Sequence, residues 1–127
     1  MPGFDDRQWH PVTLANFGYD NLISSESVPV RKKEVFEPKE IIITPAGETV
    51  VDFGQNIAGI VRMKVEGERG TTVRLTHSEV LDQDGNFCLD YLGVTVGGRF
   101  EQTDEYVLKG EGLEIYEPFF TVHGFRY

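Results

Sequence analysis

Hydrophobic and polar residues alternate along several short stretches of the chain, with the period of two that is typical of half-buried β-strands. In residues 60–66, Val61, Met63 and Val65 share one face of such a strand, and charged side chains occupy the other. Residues 71–78 repeat the alternation after a turn bounded by two glycines. The two stretches are therefore predicted to pair as an antiparallel hairpin, with one face in the core and one in water.

The same criterion predicts strands on both sides of this hairpin. They are residues 40–44, 49–53, 100–108 and 113–127, the last interrupted by a Glu-Pro step. Turn-forming residues separate them, including an Asp- and Gly-rich cluster at 82–86 and a Gly-Gly pair at 97–98. No stretch carries the 3.6-residue stripe of a helix of about 11 residues. The chain is predicted to be all-β, an antiparallel two-sheet β-sandwich or jelly roll.

The domain organisation follows from where the alternation starts and stops. Residues 1–27 show neither period and carry Pro, Asn, Gly and Ser at short intervals, which predicts a linker or arm. Residues 28–127 are assigned to the sandwich. The chain stops within an aromatic run at 119–127, without a turn or a polar tail, so we expect a fragment of a longer protein.

Composition and charge narrow the class of protein. A length of 127 residues suits one globular domain that needs no staple, and the single cysteine, Cys88, has no partner for an internal disulfide. Twelve basic and 21 acidic residues give a net charge of −9, the wrong sign for binding nucleic acid or an anionic membrane. No apolar run approaches the roughly 20 residues of a membrane span, and the first residues are not a signal peptide. The sequence does not decide between a cytoplasmic and an exported protein.

Candidate metal-ligating residues lack the spacing that a known motif requires. The acidic residues around the 82–86 turn do not form an EF-hand loop, because glycine stands fourth instead of sixth; a looser calcium site stays open, but a turn is favoured. The three histidines, His10, His77 and His123, lie far apart without a short ligand spacing. No metal site and no cofactor are therefore predicted.

One acidic residue invites a catalytic interpretation. Glu79 shares its face with His77, which predicts a buried, hydrogen-bonded pair of the two side chains. The alternative is a small freestanding hydrolase in which Glu79 acts with Asp104 or Glu105. The sequence does not give the separation of these carboxyl groups, so the hydrolase stays open as an alternative.

Five segments carry a family pattern. They are residues 51–59 (VDFGQNIAG), 66–71 (EGERGT), 77–85 (HSEVLDQDG), 104–110 (DEYVLKG) and 116–127 (YEPFFTVHGFRY). In this order and at roughly this spacing, they resemble the concanavalin-like β-sandwich domain of bacterial α-L-rhamnosidases, glycoside hydrolase family 78. Residues 4–9 resemble the exit of the β-domain that precedes it in those enzymes.

The resemblance implies a concanavalin-like fold and a parent enzyme that releases terminal α-L-rhamnose with inversion, using two carboxyl groups. In the family, those carboxyl groups lie in a downstream (α/α)₆ barrel that this sequence does not contain. No catalytic residue is therefore assigned, and the module is expected to be inactive alone and to position the barrel. Its implied partners are the rest of the rhamnosidase chain, namely the catalytic barrel and the preceding β-domain, and, through the parent enzyme, a rhamnosylated glycan.

Aromatic residues number nine Phe, five Tyr and one Trp, more than one small core holds. Four of them crowd the end of the chain: Phe119, Phe120, Phe125 and Tyr127. These four are predicted to form a hydrophobic face against a neighbouring domain. The alternative is a lectin-like carbohydrate-binding module in which aromatic rings stack on sugar, and Trp9 and Tyr91 are the candidates for that contact.

Overall fold

The computed structural model describes residues 4–95, 98–99 and 102–127, and it divides the chain into two units, residues 1–33 and 34–127. The described part of the first unit contains no strand or helix. Two turns interrupt it, closed by backbone hydrogen bonds from Trp9 to Asp6 (2.8 Å) and from Leu22 to Tyr19 (2.9 Å). Its large hydrophobic side chains are exposed.

The second unit is built almost entirely from short strands. They are β1 (Glu40–Ile43), β2 (Thr49–Asp52), β3 (Ile57–Gly59), β4 (Met63–Val65), β5 (Thr72–Thr76), β6 (Val94–Thr95), β7 (Gly98–Arg99), β8 (Thr103–Val107), β9 (Glu114–Tyr116) and β10 (His123–Phe125). Among the described residues the one helix is a 3₁₀ turn, Asp90–Leu92, and no helix is long enough to cross a bilayer. The start of the predicted 100–108 strand and Gly97 lie outside the described residues.

The strand pairing is nested. The strands β1 and β2 form a hairpin, and then β3 pairs with β10, β4 with β9, β5 with β8 and β6 with β7, all antiparallel. The chain therefore runs out along one side of a ribbon and returns along the other. Four nested antiparallel pairs are the ribbon from which an eight-stranded jelly roll is formed. The predicted all-β antiparallel fold class is confirmed.

The prediction that residues 60–66 and 71–78 pair with each other as a hairpin is wrong. The strands exist as β4 and β5, but each pairs with a strand of the returning chain. The backbone N–H of Gly70 donates to the carbonyl of Leu108, and the N–H of Leu108 donates to the carbonyl of Thr71, each at 2.8 Å. The glycine-bounded connection is thus one side of a corner of the ribbon, where the β4–β9 pair ends and the β5–β8 pair begins.

The other side of this corner is the connection between β8 and β9. The carboxylate of Glu114 holds this connection. It accepts hydrogen bonds from the backbone N–H groups of Lys109 (3.0 Å) and Gly110 (2.8 Å) and from the Tyr106 hydroxyl (2.8 Å). The two backbone bonds lower the pKa of Glu114 below its usual value. A charged side chain therefore holds this connection, next to the buried side chain of Leu108.

The predicted turn at 82–86 is present and is closed by its first residue. The Asp82 carboxylate accepts hydrogen bonds from the backbone N–H groups of Asp84 (2.9 Å) and Asn86 (2.7 Å). The Asn86 side chain in turn accepts a hydrogen bond from the N–H of Ala46, in the β1–β2 turn. The acidic cluster thus organises a turn and joins it to the first hairpin.

Candidate functional site

Three ionisable side chains lie close together between two strand pairs, β5–β8 and β3–β10. His77 follows β5, Asp104 lies in β8 and His123 opens β10. Because Asp104 is the register partner of Leu75, its side chain lies on the same face of the ladder as those of Leu75 and His77. The rings of His77 and His123 have centroids 4.3 Å apart and lie 18° from parallel. We call this group, His77, Asp104 and His123, the His–Asp–His cluster.

Hydrogen bonds define the tautomer of His77. Its Nδ1 lies 2.9 Å from the carbonyl oxygen of Gln102, and a carbonyl can only accept, so Nδ1 carries the proton and Nε2 carries a lone pair. His123 Nε2 lies 3.2 Å from Asp104 Oδ1 and 3.3 Å from the Thr121 hydroxyl. Within the described part of the chain, His77 Nε2 and Asp104 Oδ2 are buried without a hydrogen-bond partner. The cluster therefore holds two unpaired buried acceptors.

Burial also affects the protonation of His77. His77 is 3% exposed, and this desolvation lowers its pKa below the usual value, with the Gln102 carbonyl opposing and His123 adding to the shift. The pKa of Tyr116 is raised by burial and by the nearby charge of Asp104. At neutral pH, His77 is a neutral imidazole facing a carboxylate, an arrangement that can accept a proton or bind a cation.

Reasoning from histidine spacing missed this cluster. His77 and His123 are distant in sequence, but the nested pairing brings the end of β5 next to β10. The expected pair of His77 with Glu79 is wrong, because Glu79 is exposed. The backbone N–H of Glu79 donates instead to the Tyr91 hydroxyl at 2.9 Å. His77 does face inward, as its alternation with Val73 and Leu75 predicts, and Asp104 lies on the same face as the register partner of Leu75.

A second polar contact holds the end of the chain. The Arg126 guanidinium donates from Nε and Nη2 to the two carboxylate oxygens of Asp52, at 2.8 and 2.9 Å. Asp52 is 2% exposed, and its Oδ1 also accepts the N–H of Gly54 at 2.6 Å. The bond to Arg126 lowers the pKa of Asp52 to about 2 despite the burial. Asp52 and Arg126 thus form a structural ion pair between β2 and the residue that follows β10.

The structure divides the four terminal aromatics that the sequence grouped into one face. Phe119 and Phe120 are 82% and 98% exposed, with ring centroids 4.5 Å apart. Phe125 is 1% exposed and packs edge-on against Phe53 and His77, so its assignment to an outer face is wrong. Tyr127 is half-buried, and its backbone pairs with Ser78.

The candidate sugar-stacking residues lie in separate units. Trp9 is exposed and its ring contacts that of Phe4, 5.4 Å away. Tyr91 lies in the 3₁₀ turn, 41% exposed, with its hydroxyl held by the Glu79 backbone.

The two possible partners of Glu79 in the hydrolase alternative, Asp104 and Glu105, point in different directions. Asp104 and Glu105 are neighbours in β8, so their side chains lie on opposite faces. Glu105 accepts a hydrogen bond from Arg74 Nε at 2.8 Å on the exposed face, and Asp104 faces His123.

Comparisons with known proteins agree on one family. Residues 42–127 match the model of the bacterial alpha-L-rhamnosidase concanavalin-like domain. An alpha-L-rhamnosidase of Streptomyces avermitilis is 44% identical over 131 residues, which covers 99% of this chain and 12% of that protein. One from Formosa agariphila is 38% identical over 126 residues, covering 98% of this chain and 13% of that protein. The chain thus spans about an eighth of the length of these curated relatives.

Solved structures give the same result. Native α-L-rhamnosidase from Aspergillus terreus aligns with a TM-score of 0.75 and 34% identity, over 98% of this chain and 14% of that one. The Streptomyces avermitilis enzyme, solved in complex with L-rhamnose, aligns with a TM-score of 0.61 and 46% identity, over 70% of this chain and 8% of that one. Because the family model matches well over half of its length, the chain belongs to the bacterial α-L-rhamnosidase concanavalin-like domain family.

Proposed function

We propose that this chain serves as a non-catalytic β-sandwich module of an α-L-rhamnosidase, which packs on the catalytic (α/α)₆ barrel and positions it. The observation that carries the proposal is the family match over residues 42–127, in relatives of which the chain spans only 12 to 13%. A segment of that size in a much longer enzyme suits a domain with a supporting role, and glycoside hydrolysis needs a cleft with two placed carboxyl groups.

The engagement of the acidic residues supports an inactive module. An inverting glycosidase needs one carboxyl group with a raised pKa, as the acid, and a second one free to activate water. Asp52 is committed to Arg126 and its pKa is lowered to about 2, the wrong direction for a general acid. Glu114 is held by backbone N–H groups, which also lower its pKa. Glu105 is bonded to Arg74.

The exposed apolar side chains of the second unit support a packing role. Phe119 and Phe120 present two adjoining rings to solvent, directly after the buried Pro118. Phe120 also adopts φ = 65°, a left-handed backbone conformation that costs an aromatic residue of the order of 1 kcal/mol. A partner surface that buries both rings would offset this cost at roughly 1.5–3 kcal/mol per ring.

Turnover of an aryl α-L-rhamnoside tests the absence of activity. The isolated chain is expected to release no aryl group, whereas a full-length protein that carries it is expected to do so. Turnover by the isolated chain that is abolished by Glu79→Gln would overturn the non-catalytic role.

The packing role is tested separately, in the full-length protein. Phe119→Ser/Phe120→Ser is expected to lower its thermal midpoint and its activity together. The matched control is Ile41→Ser/Ile43→Ser, which removes two exposed side chains from β1. Equal effects of the two double variants would remove the assignment of the packing face to Phe119 and Phe120.

A lectin-like carbohydrate-binding role is the second candidate, and Tyr91 favours it. Its ring is partly exposed while its hydroxyl is fixed by the Glu79 backbone, so the ring is held in place for stacking. Calorimetry with L-rhamnose, with and without calcium, tests this role. Millimolar or tighter binding that is lost in Tyr91→Ala or Trp9→Ala would promote it, and the absence of heat across the series would retire it.

A further inference from the structure

The His–Asp–His cluster contains more buried acceptors than the chain satisfies. His77 is 3% exposed and the side chain of Asp104 is 9% exposed. No donor among the described residues reaches His77 Nε2 or Asp104 Oδ2. An unpaired buried acceptor is destabilising, so two of them in a unit whose described residues include few buried hydrophobic side chains require a reason. Both atoms belong to the same cluster, and both are ligand atoms for a cation.

We propose that His77, Asp104 and His123 bind one divalent transition-metal ion of the Zn²⁺ class, through the two imidazole Nε2 atoms and the Asp104 carboxylate. Two imidazoles and one carboxylate are a donor set that suits Zn²⁺ and excludes Mg²⁺ and Ca²⁺, which prefer oxygen ligands throughout. The proposal is independent of the catalytic or non-catalytic role of the module.

The protonation of His77 already matches that of a metal ligand. A ligating histidine commonly donates its second ring N–H to a carbonyl, and His77 does so from Nδ1 to Gln102, leaving Nε2 with its lone pair. Asp104 supplies a negative charge, and the net charge of −9 favours the approach of a cation.

Binding requires a small rearrangement. One donor atom from each residue lies within 4.8 Å of the others, whereas ligand atoms at about 2.1 Å from a tetrahedral ion are about 3.4 Å apart. The two rings are 18° from parallel, and a single ion cannot lie in the planes of two stacked rings. One ring must therefore turn, and His123 is the less restrained, with its side chain 13% exposed. Turning breaks the contacts of His123 Nε2 with the Thr121 hydroxyl (3.3 Å) and with Asp104 Oδ1 (3.2 Å). The proton that Nε2 donates to Asp104 must then pass to water, so that Nε2 can offer its lone pair to the ion.

The consequence of binding is a cross-link between two ladders. His77 and Asp104 belong to the β5–β8 side and His123 to β10, which pairs with β3. The ion would thus join the terminal strand to the middle of the ribbon. This gives a module with a small core the kind of staple that small domains take from metals.

Metal titration of the tag-free chain, stripped with a chelator, tests the site. Zn²⁺ is followed by calorimetry and by the thermal midpoint, and Co²⁺ by its visible absorption bands. We expect one ion per chain, a thermal midpoint that rises with metal concentration, and a loss of affinity of about 100-fold or more in Asp104→Asn and in His123→Gln. The controls are His10→Gln, the third histidine, and Cys88→Ser, the single thiol; both are expected to bind as the unchanged chain does.

Four results would overturn the proposal. They are no stoichiometric binding by the unchanged chain, unchanged affinity in the folded Asp104→Asn and His123→Gln variants, an equal loss of affinity in His10→Gln, or abolition of binding by Cys88→Ser. If a cluster variant unfolds, imidazole nitrogen NMR of the unchanged chain decides. Zn²⁺ must then shift the Nε2 signals of His77 and His123 and leave His10 in place, and any other pattern rejects the site.

Discussion

Polar side chains take positions in this molecule that hydrophobic residues usually fill. The buried hydrophobic residues among those described are Val50, Leu108 and Phe125, and the buried polar ones are Thr44, Asp52, His77 and Ser78. Ser78 shows how a buried polar residue is hydrogen-bonded. Its hydroxyl contacts the carbonyls of Val80 and Cys88, and its backbone pairs with that of Tyr127. Hydrogen bonds of fixed geometry therefore determine how the strands fit together.

Removing Arg126 should be costly, because it leaves Asp52 as an uncompensated buried charge. We expect Arg126→Ala to lower the free energy of unfolding by about 3 kcal/mol, measured by urea denaturation. Arg74→Ala is the matched control, since Arg74 contacts Glu105 in an exposed pair worth at most about 1 kcal/mol. Similar losses in the two variants would show that the Asp52 pair is no more important than a surface pair.

Acid should weaken the same contact in a defined pH range. The pKa of Asp52 is about 2 in the folded chain and about 3.9 in an unfolded one, so the carboxylate binds fewer protons when folded. Its stabilisation, about 2.5 kcal/mol, is present above pH 4 and is lost as pH falls through 2. Asp52→Asn should reduce the slope of stability against pH between 4 and 2, while Glu105→Gln, at an exposed site, should leave most of that slope unchanged. An unaltered slope in Asp52→Asn would contradict the ion-pair assignment.

At the scale of elements, the nested ribbon replaces local hairpins. Each strand from β3 to β6 finds its partner in the returning chain, so the connection between β4 and β5 and that between β8 and β9 bend side by side. The two connections approach each other closely, and glycine is needed where their backbones nearly touch. At Gly110, a Cβ atom would lie 2.4 Å from the backbone nitrogen of Arg69.

A pair of glycine substitutions separates close approach from backbone conformation. Gly110 and Gly112 both have positive φ, 77° and 84°, but an added Cβ meets the Arg69 backbone at Gly110 and nothing within 4 Å at Gly112. We expect Gly112→Ala to cost about 1 kcal/mol and Gly110→Ala about 3 kcal/mol, in urea denaturation. Equal costs would mean that the two connections do not touch at this corner.

At the scale of the whole molecule, apolar surface remains uncovered on each unit taken by itself. In the first unit, Phe17 and Ile23 are examples, and in the second, Phe119, Phe120 and Ile115. Scattered hydrophobic residues are normal on a surface, but rings that adjoin, as in Phe119 and Phe120, are typical of interfaces. The net charge of −9 opposes contact between copies of the chain.

The isolated chain should therefore self-associate in a salt-dependent manner. Each uncovered ring is worth roughly 1.5–3 kcal/mol of burial, and added salt screens the repulsion between acidic copies. Sedimentation across a salt series should reveal stronger association at higher salt and binding of a hydrophobic dye, both reduced in Phe119→Ser/Phe120→Ser. Ile41→Ser/Ile43→Ser is the control. A monomer at every salt concentration, without dye binding, would contradict an exposed docking face.

The sequence by itself determined the fold class and the inward faces, because a period of two depends only on neighbouring residues. It placed strands near 40–44, 49–53 and 113–127, and the turn at 82–86, since β-branched runs and Asx-Gly turns are local signals. The five family segments identified the family in the same way, through residues read in order.

Only the tertiary structure decided which strands pair and which distant side chains meet. Alternation does not name a partner, so β4 and β5 looked like a hairpin although each pairs with the returning chain. Phe125, counted with Phe119 and Phe120 by position, is buried because β10 pairs with β3. The contacts of His77 with His123 and of Asp52 with Arg126 span long stretches of sequence. They depend on how the ribbon is folded, which no local pattern records.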